Sequence, residues 1–123
     1  MTETGLREQA FLVLTALAAE PQHGYAVIED VLRVSDGRVR LHTGSLYAIL
    51  DRLRETGLIE IDREEIVASR LRRYYRLTGA GAVRLAEETE VLRRHANAAA
   101  ARLRRINPVQ QSRISPVQQG GIA

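Results

Sequence analysis

Residues 43–58 read TGSLYAILDRLRETGL. Leu46, Ile49, Leu50 and Leu53 fall at i, i+3, i+4 and i+7, which is one apolar stripe at helical spacing. The opposite face carries Ser45, Tyr47, Ala48, Asp51, Arg52 and Glu55. Thr43 is a good N-cap residue. Gly57 stands where a helix turns left-handed at its C′ position. The stretch therefore predicts an amphipathic helix over 44–56. Its first turn is small and polar, so a partner can come close to it.

On the N-terminal side, Tyr25, Ile28 and Leu32 predict a shorter helix over 24–33, and Asp36-Gly37 is a turn signal. Between that turn and residue 43, Val39 and Leu41 alternate with Arg38, Arg40 and His42, the pattern of a brief strand. Further back, Leu6, Ala10, Val13, Leu14 and Leu17 predict a first helix over 6–19, stopped by Pro21. Phe11 and Leu12 make that helix apolar on more than one side, so more than one neighbour must cover it.

On the C-terminal side, Leu58–Arg63 and Leu71–Leu77 read as two strands, joined as a hairpin with its tip near 64–70. Thr78 caps a last helix reaching about Ile106. Its apolar seam, Ala82, Leu85, Thr89, Leu92, Ala96, Ala99, Leu103 and Ile106, advances in alternating steps of 3 and 4, an a/d heptad pattern. Such a helix of about 25 residues is ~37 Å long, more than a small core needs. The seam predicts a second copy of the chain, with Phe11, Leu85, Leu92, Ala96, Ala99 and Leu103 at the dimer interface. From Pro108 the text is a near-repeat, PVQQSRIS then PVQQGGIA. It is too polar to offset its ordering entropy, so a disordered tail is expected.

The order helix, helix, strand, amphipathic helix, basic hairpin, long helix is that of a winged helix-turn-helix. The expected fold class is mainly α with a small β-hairpin. The winged helix-turn-helix would occupy residues 1–78, a C-terminal dimerisation helix 79–107 and the tail 108–123. In this arrangement the helix at 44–56 enters the major groove of duplex DNA. Thr43 and Ser45 reach phosphates or base edges, and Tyr47 offers its hydroxyl to a phosphate. Arg52 follows further along the helix, and His42 just before it meets a phosphate. Tyr25 is either a packing wedge or a DNA contact and is counted with the DNA candidates. Tyr74 and Tyr75 are assigned to packing. Arg70, Arg72, Arg73 and Arg76 form a cluster with no acid between them in the sequence. The first three are assigned to DNA, by phosphate or minor-groove contact.

Composition agrees. The chain has 123 residues, a formal net charge of +3, and no Cys or Trp. All 18 basic residues are Arg, a group that stays charged and offers a planar fork to phosphate. The charge is unevenly spread: residues 1–33 carry two Arg against five acids, and residues 79–123 carry seven against three. No run of about 18 uncharged apolar residues suggests a membrane span. The early charges Glu3, Arg7, Glu8 and Glu20 argue against a secretory signal, so a cytoplasmic protein is expected. There is no phosphate-binding loop and no nucleophile motif. His23, His42 and His95 lack the spacing of a metal site, so neither an enzyme nor a metal or other cofactor is expected. The competing class is a winged helix used as a protein-interaction module without DNA; arginines at the groove helix and hairpin favour DNA.

At this level the chain resembles the PadR-like transcriptional regulators. The resemblance runs through His23-Gly24-Tyr25, Gly44-Ser45-Leu46-Tyr47, Leu50-x-x-Leu53-x-x-x-Gly57-Leu58-Ile59-Glu60 and Arg73-Tyr74-Tyr75-Arg76-Leu77-Thr78-x-x-Gly81. A single last helix is similar to the small subclass of that family. The resemblance implies a homodimeric repressor on a roughly palindromic operator, which a small lipophilic or aromatic effector relieves. Two departures stand out. The hairpin tip, Glu64-Glu65-Ile66-Val67-Ala68-Ser69, lacks Gly-rich text and holds two acids, and the absence of Trp excludes a tryptophan-lined drug site.

Overall fold

The computed structural model describes residues 6–106; the tail expected at 108–123 lies outside them. The elements are α1 (Glu8–Ala19), β1 (Gln22–His23), α2 (Gly24–Val34), α3 (Thr43–Glu55), β2 (Ile59–Val67), β3 (Arg70–Leu77) and α4 (Gly79–Ile106). One three-stranded antiparallel sheet has the order β1-β3-β2. The fold class is thus mainly α with a small β element, as the sequence predicts. The chain divides into two compact units at Glu88/Thr89, within α4.

The first unit holds the core. Val13, Leu14 and Leu17 of α1 pack with Val27 and Val31 of α2, with Leu46, Leu50 and Leu53 of α3, and with Ile59 and Tyr75 of the sheet. The α3 stripe is therefore buried as its spacing predicts, apart from half-buried Ile49. Burying Leu or Ile side chains of this size is worth about 1.5–3 kcal/mol each. Both inner helices end in the same way. Gly57, at φ 78°, donates to Arg54 O and Leu58 donates to Leu53 O, which is a Schellman closure. After α2 two left-handed residues follow, Asp36 (φ 55°) and Gly37 (φ 81°); Asp36 donates to Arg33 O and Gly37 to Leu32 O.

Three expectations are corrected. The brief strand around Val39 and Leu41 does not form: both side chains are buried, but the Val39 N–H donates to Ser35 Oγ (2.9 Å) rather than to a ladder. The free edge of β3 is taken instead by β1, with Gln22 opposite Tyr75 and His23 opposite Tyr74. Thr43 is not the cap of α3 but its first residue. His42 occupies the cap position in an extended conformation and makes no side-chain capping bond. The hairpin tip is two residues, Ala68-Ser69, because Glu64–Val67 continue the ladder. Both tip residues have positive φ (52° and 65°), a type I′ turn without the usual Asn or Gly.

Two small details tie the elements together. Buried Gln22 donates its amide to Ala16 O (2.8 Å) and to Asp30 Oδ2 (3.1 Å), joining the end of α1 to α2. Thr78 Oγ1 accepts from Gly81 N and donates to Gly57 O, so it caps α4 and fastens it to the end of α3. A Cβ at Gly81 would overlap the Leu58 carbonyl oxygen, which fixes that position as glycine. In the second unit, the described part of α4 from Thr89 to Ile106 is regular helix with Leu92, Leu103 and Ile106 exposed.

Candidate nucleic-acid interface

The first turn of α3 is an open helix end. Helix geometry leaves its leading N–H groups without intrahelical partners, and no side chain caps them. Thr43, Gly44 and Ser45 are exposed, and neither hydroxyl has a hydrogen-bond partner among the described residues. The partial positive charge of a helix N-terminus and two free hydroxyls thus face solvent together. His42 lies exposed beside them, and Arg52 is exposed further along the helix. Arg38 and Arg40 are exposed, without an ion pair among the described residues, in the segment that leads into α3.

Tyr47 has two faces. It is 44% exposed, yet a Cβ at Gly24 would lie 2.6 Å from its hydroxyl oxygen and 3.2 Å from Cζ. The phenol ring thus lies across the bare start of α2, setting α3 against α2. Next to Gly24, Tyr25 is 67% exposed and belongs to the same surface as the start of α2. His23 caps α2, its Nδ1 accepting from Ala26 N (3.4 Å), and stacks edge-on against Tyr74 at 5.3 Å. Burial, and then the Arg72 guanidinium, hold His23 below the usual imidazole range, against the opposing pull of Glu29 and Glu65.

The hairpin modifies the sequence reading of its arginines. They are free of acids along the chain but not across the ladder. Arg73 pairs with Glu64 (2.8 Å), and Arg76 with Glu60 (2.7 Å) and Asp62 (3.3 Å). Arg63 pairs with Asp62 and Glu65 and lies 3.8 Å over the Tyr74 ring. These pairs are solvent-screened and add little stability, but they reduce the charge the hairpin presents. Arg70 and Arg72 alone among its arginines have no ion pair among the described residues. The two acids at the expected tip, Glu64 and Glu65, are both neutralised by arginines; Arg63 holds the Glu65 carboxyl below its usual range. Tyr75 is buried and Tyr74 partly so, as packing residues.

The dimer candidates are spread over both units. Phe11 and Leu85 are half-buried in the first, Leu85 against its own core. Leu92 and Leu103, each 47% exposed, stand with exposed Ala96 and Ala99 in the second. Among the described residues no group of three His, Asp or Glu side chains is placed to hold a metal, and no helix is long and apolar enough to cross a membrane.

Residues 13–87 match the transcriptional regulator PadR-like family. The chain belongs to that family. Solved structures agree in fold. A PadR family transcriptional regulator from Eggerthella lenta is 27% identical, with 80% of this chain and 86% of that one covered at a TM-score of 0.59. A PadR family regulator from Clostridium difficile is 22% identical, covering 76% and 96% at 0.64. Bacillus subtilis PadR, solved in complex with operator DNA, is 21% identical, covering 66% and 46% at 0.59. A comparison with curated proteins gives no match. The match to the PadR-like family spans α2, α3, the segment between them and the hairpin, a range that contains every candidate DNA residue.

Proposed function

We propose that the chain is a sequence-specific DNA-binding transcriptional regulator of the cytoplasm without enzymatic activity. It acts as a homodimeric repressor on a roughly palindromic operator, from which a small lipophilic or aromatic effector releases it. The observation that carries this reading is the uncapped, solvent-facing start of α3, where Thr43 and Ser45 have no side-chain partner among the described residues. A helix end left open in this way is costly unless water or a ligand satisfies it, and a phosphate or base edge does so. His42 precedes it, Tyr47 lies one turn on beside Gly24 and Tyr25, Arg52 stands in the last turn of the same helix, and Arg70, Arg72 and Arg73 extend the contact along the hairpin. Of those three, Arg70 and Arg72 are the main phosphate ligands, since Arg73 already holds Glu64.

Residues 1–78 form the DNA-binding module in this reading, and 79–107 the dimerisation helix. Relief by an effector rests on family likeness alone. The operator is found by footprinting the protein on the DNA upstream of its own reading frame. The decisive variant is the pair Ser45→Ala and Tyr47→Phe, which removes two hydroxyls and keeps the ring over Gly24. It should fold, keep its oligomeric state and lose at least about tenfold in operator affinity, at about 1 kcal/mol per lost hydrogen bond. Full affinity in a gel-shift titration would remove α3 from the mechanism.

A further inference from the structure

The outer part of the hairpin differs in kind from its base. Tyr75 and Ile61 are the last cross-strand pair of β2 and β3 against the core. From there the ladder runs six more residues to Val67, reaching ~20 Å outward. The base of this arm is a network of arginine–carboxylate pairs, and that network stops at Glu65. Beyond it, Ile66-Val67-Ala68-Ser69-Arg70-Leu71 contains no acid. Ile66 lies opposite Leu71 on one face, and they are 76% and 59% exposed. Val67 lies opposite Arg70 on the other face, next to the pair of Glu65 with Arg72.

Two independent features therefore meet at the outer end of the hairpin: exposed branched apolar side chains, and the hairpin's only arginines without an ion pair among the described residues, Arg70 at the tip and half-buried Arg72 one rung inward, across from Glu65. An apolar partner surface would be matched by Ile66 and Leu71 but not by the two arginines. A polyanion with an apolar interior satisfies both. Duplex DNA is such a partner. Its minor groove is about 6 Å wide, wide enough for single side chains. Apolar residues inserted there unstack a base step and kink the duplex, while arginines hold the flanking phosphates.

We propose that Ile66 and Leu71 form an apolar wedge that enters the minor groove and opens a base step, with Arg70 and Arg72 on the adjoining phosphates. This rests on the DNA-binding reading above. The wedge makes the hairpin a determinant of DNA shape: it favours sites with an easily unstacked pyrimidine–purine step under the tip. The tight turn serves this role, because a longer, softer loop would not hold two side chains in line.

The test uses the full chain and the operator fragment found by footprinting, labelled at both ends for energy transfer. The comparison is between wild type, Ile66→Ser/Leu71→Ser and the conservative Ile66→Val/Leu71→Met. The serine pair should lose about tenfold or more in affinity and straighten the DNA, with the slope of log K against log salt unchanged, because no phosphate contact is removed. The conservative pair should keep both affinity and bend. Affinity within twofold of wild type for the serine pair overturns the wedge. So does lost affinity with the bend retained, or lost affinity with a flatter salt slope. A change in sedimentation of the free serine variant also overturns it, by marking the tip as a protein–protein surface. If wild type binds no duplex at all, the regulator reading fails instead.

Discussion

His23 links local geometry to pH. Its Nδ1 accepts the capping bond from Ala26 only when unprotonated, and burial with nearby Arg72 depresses its affinity for a proton. The unfolded chain then binds more protons than the folded one below the ordinary value of 6.5. Stability from this site is fully present above that value and is lost as the pH falls through the lower folded-state value. Thermal melts at about pH 7.5 and about pH 5.5 should show a larger fall in Tm for wild type than for His23→Asn, which keeps a capping acceptor at both. Equal falls would show that His23 does not set the dependence. A second residue-scale test concerns Gly81. Gly81→Ala forces a methyl group onto the Leu58 carbonyl and should cost at least about 2 kcal/mol in denaturant unfolding, in the range of overpacking.

At the scale of the element, the hairpin is where sequence and structure part. The sequence understates its length, because Ala68-Ser69 carries none of the residues that announce a type I′ turn. Positive φ at non-glycine residues costs roughly 1–2 kcal/mol each. Replacing the pair by Asn-Gly should therefore raise thermal stability, by about 1–2 kcal/mol in total, and leave the strand register unchanged; a lower Tm would mean that the turn is not type I′ in solution. The arginine run was equally misleading in one dimension. Its carboxylate partners lie on the opposite strand, 9 to 16 residues away in sequence. The Arg70→Ala/Arg72→Ala pair should flatten the salt dependence of operator binding by about two phosphate contacts, nearly one unit of log–log slope each. Arg73→Ala should do so far less, since it chiefly frees Glu64.

For the whole molecule, the prediction lies in the heptad seam. Leu92 and Leu103 are half-exposed, and Ile106 is 75% exposed. A row of this kind is stable in water when a second copy covers it. Leu92→Glu should give monomers by sedimentation, with the first unit still folded. Operator affinity should drop sharply if, as proposed, a dimer reads two half-sites about 34 Å apart together. An intact dimer would place the contact elsewhere.

The residues alone determined α1 to α4, the Gly57 stop and the buried α3 stripe, because helical spacing and capping are local: each signal lies within a turn or two of the residue it governs. The tertiary structure decided that β1 rather than residues 39–41 completes the sheet, that Tyr47 lies across Gly24, and which two arginines of the hairpin have no ion pair among the described residues. Those outcomes depend on which distant chain segments meet, and on the competition of a carboxylate or a backbone edge for each partner, so no single stretch of sequence contains them.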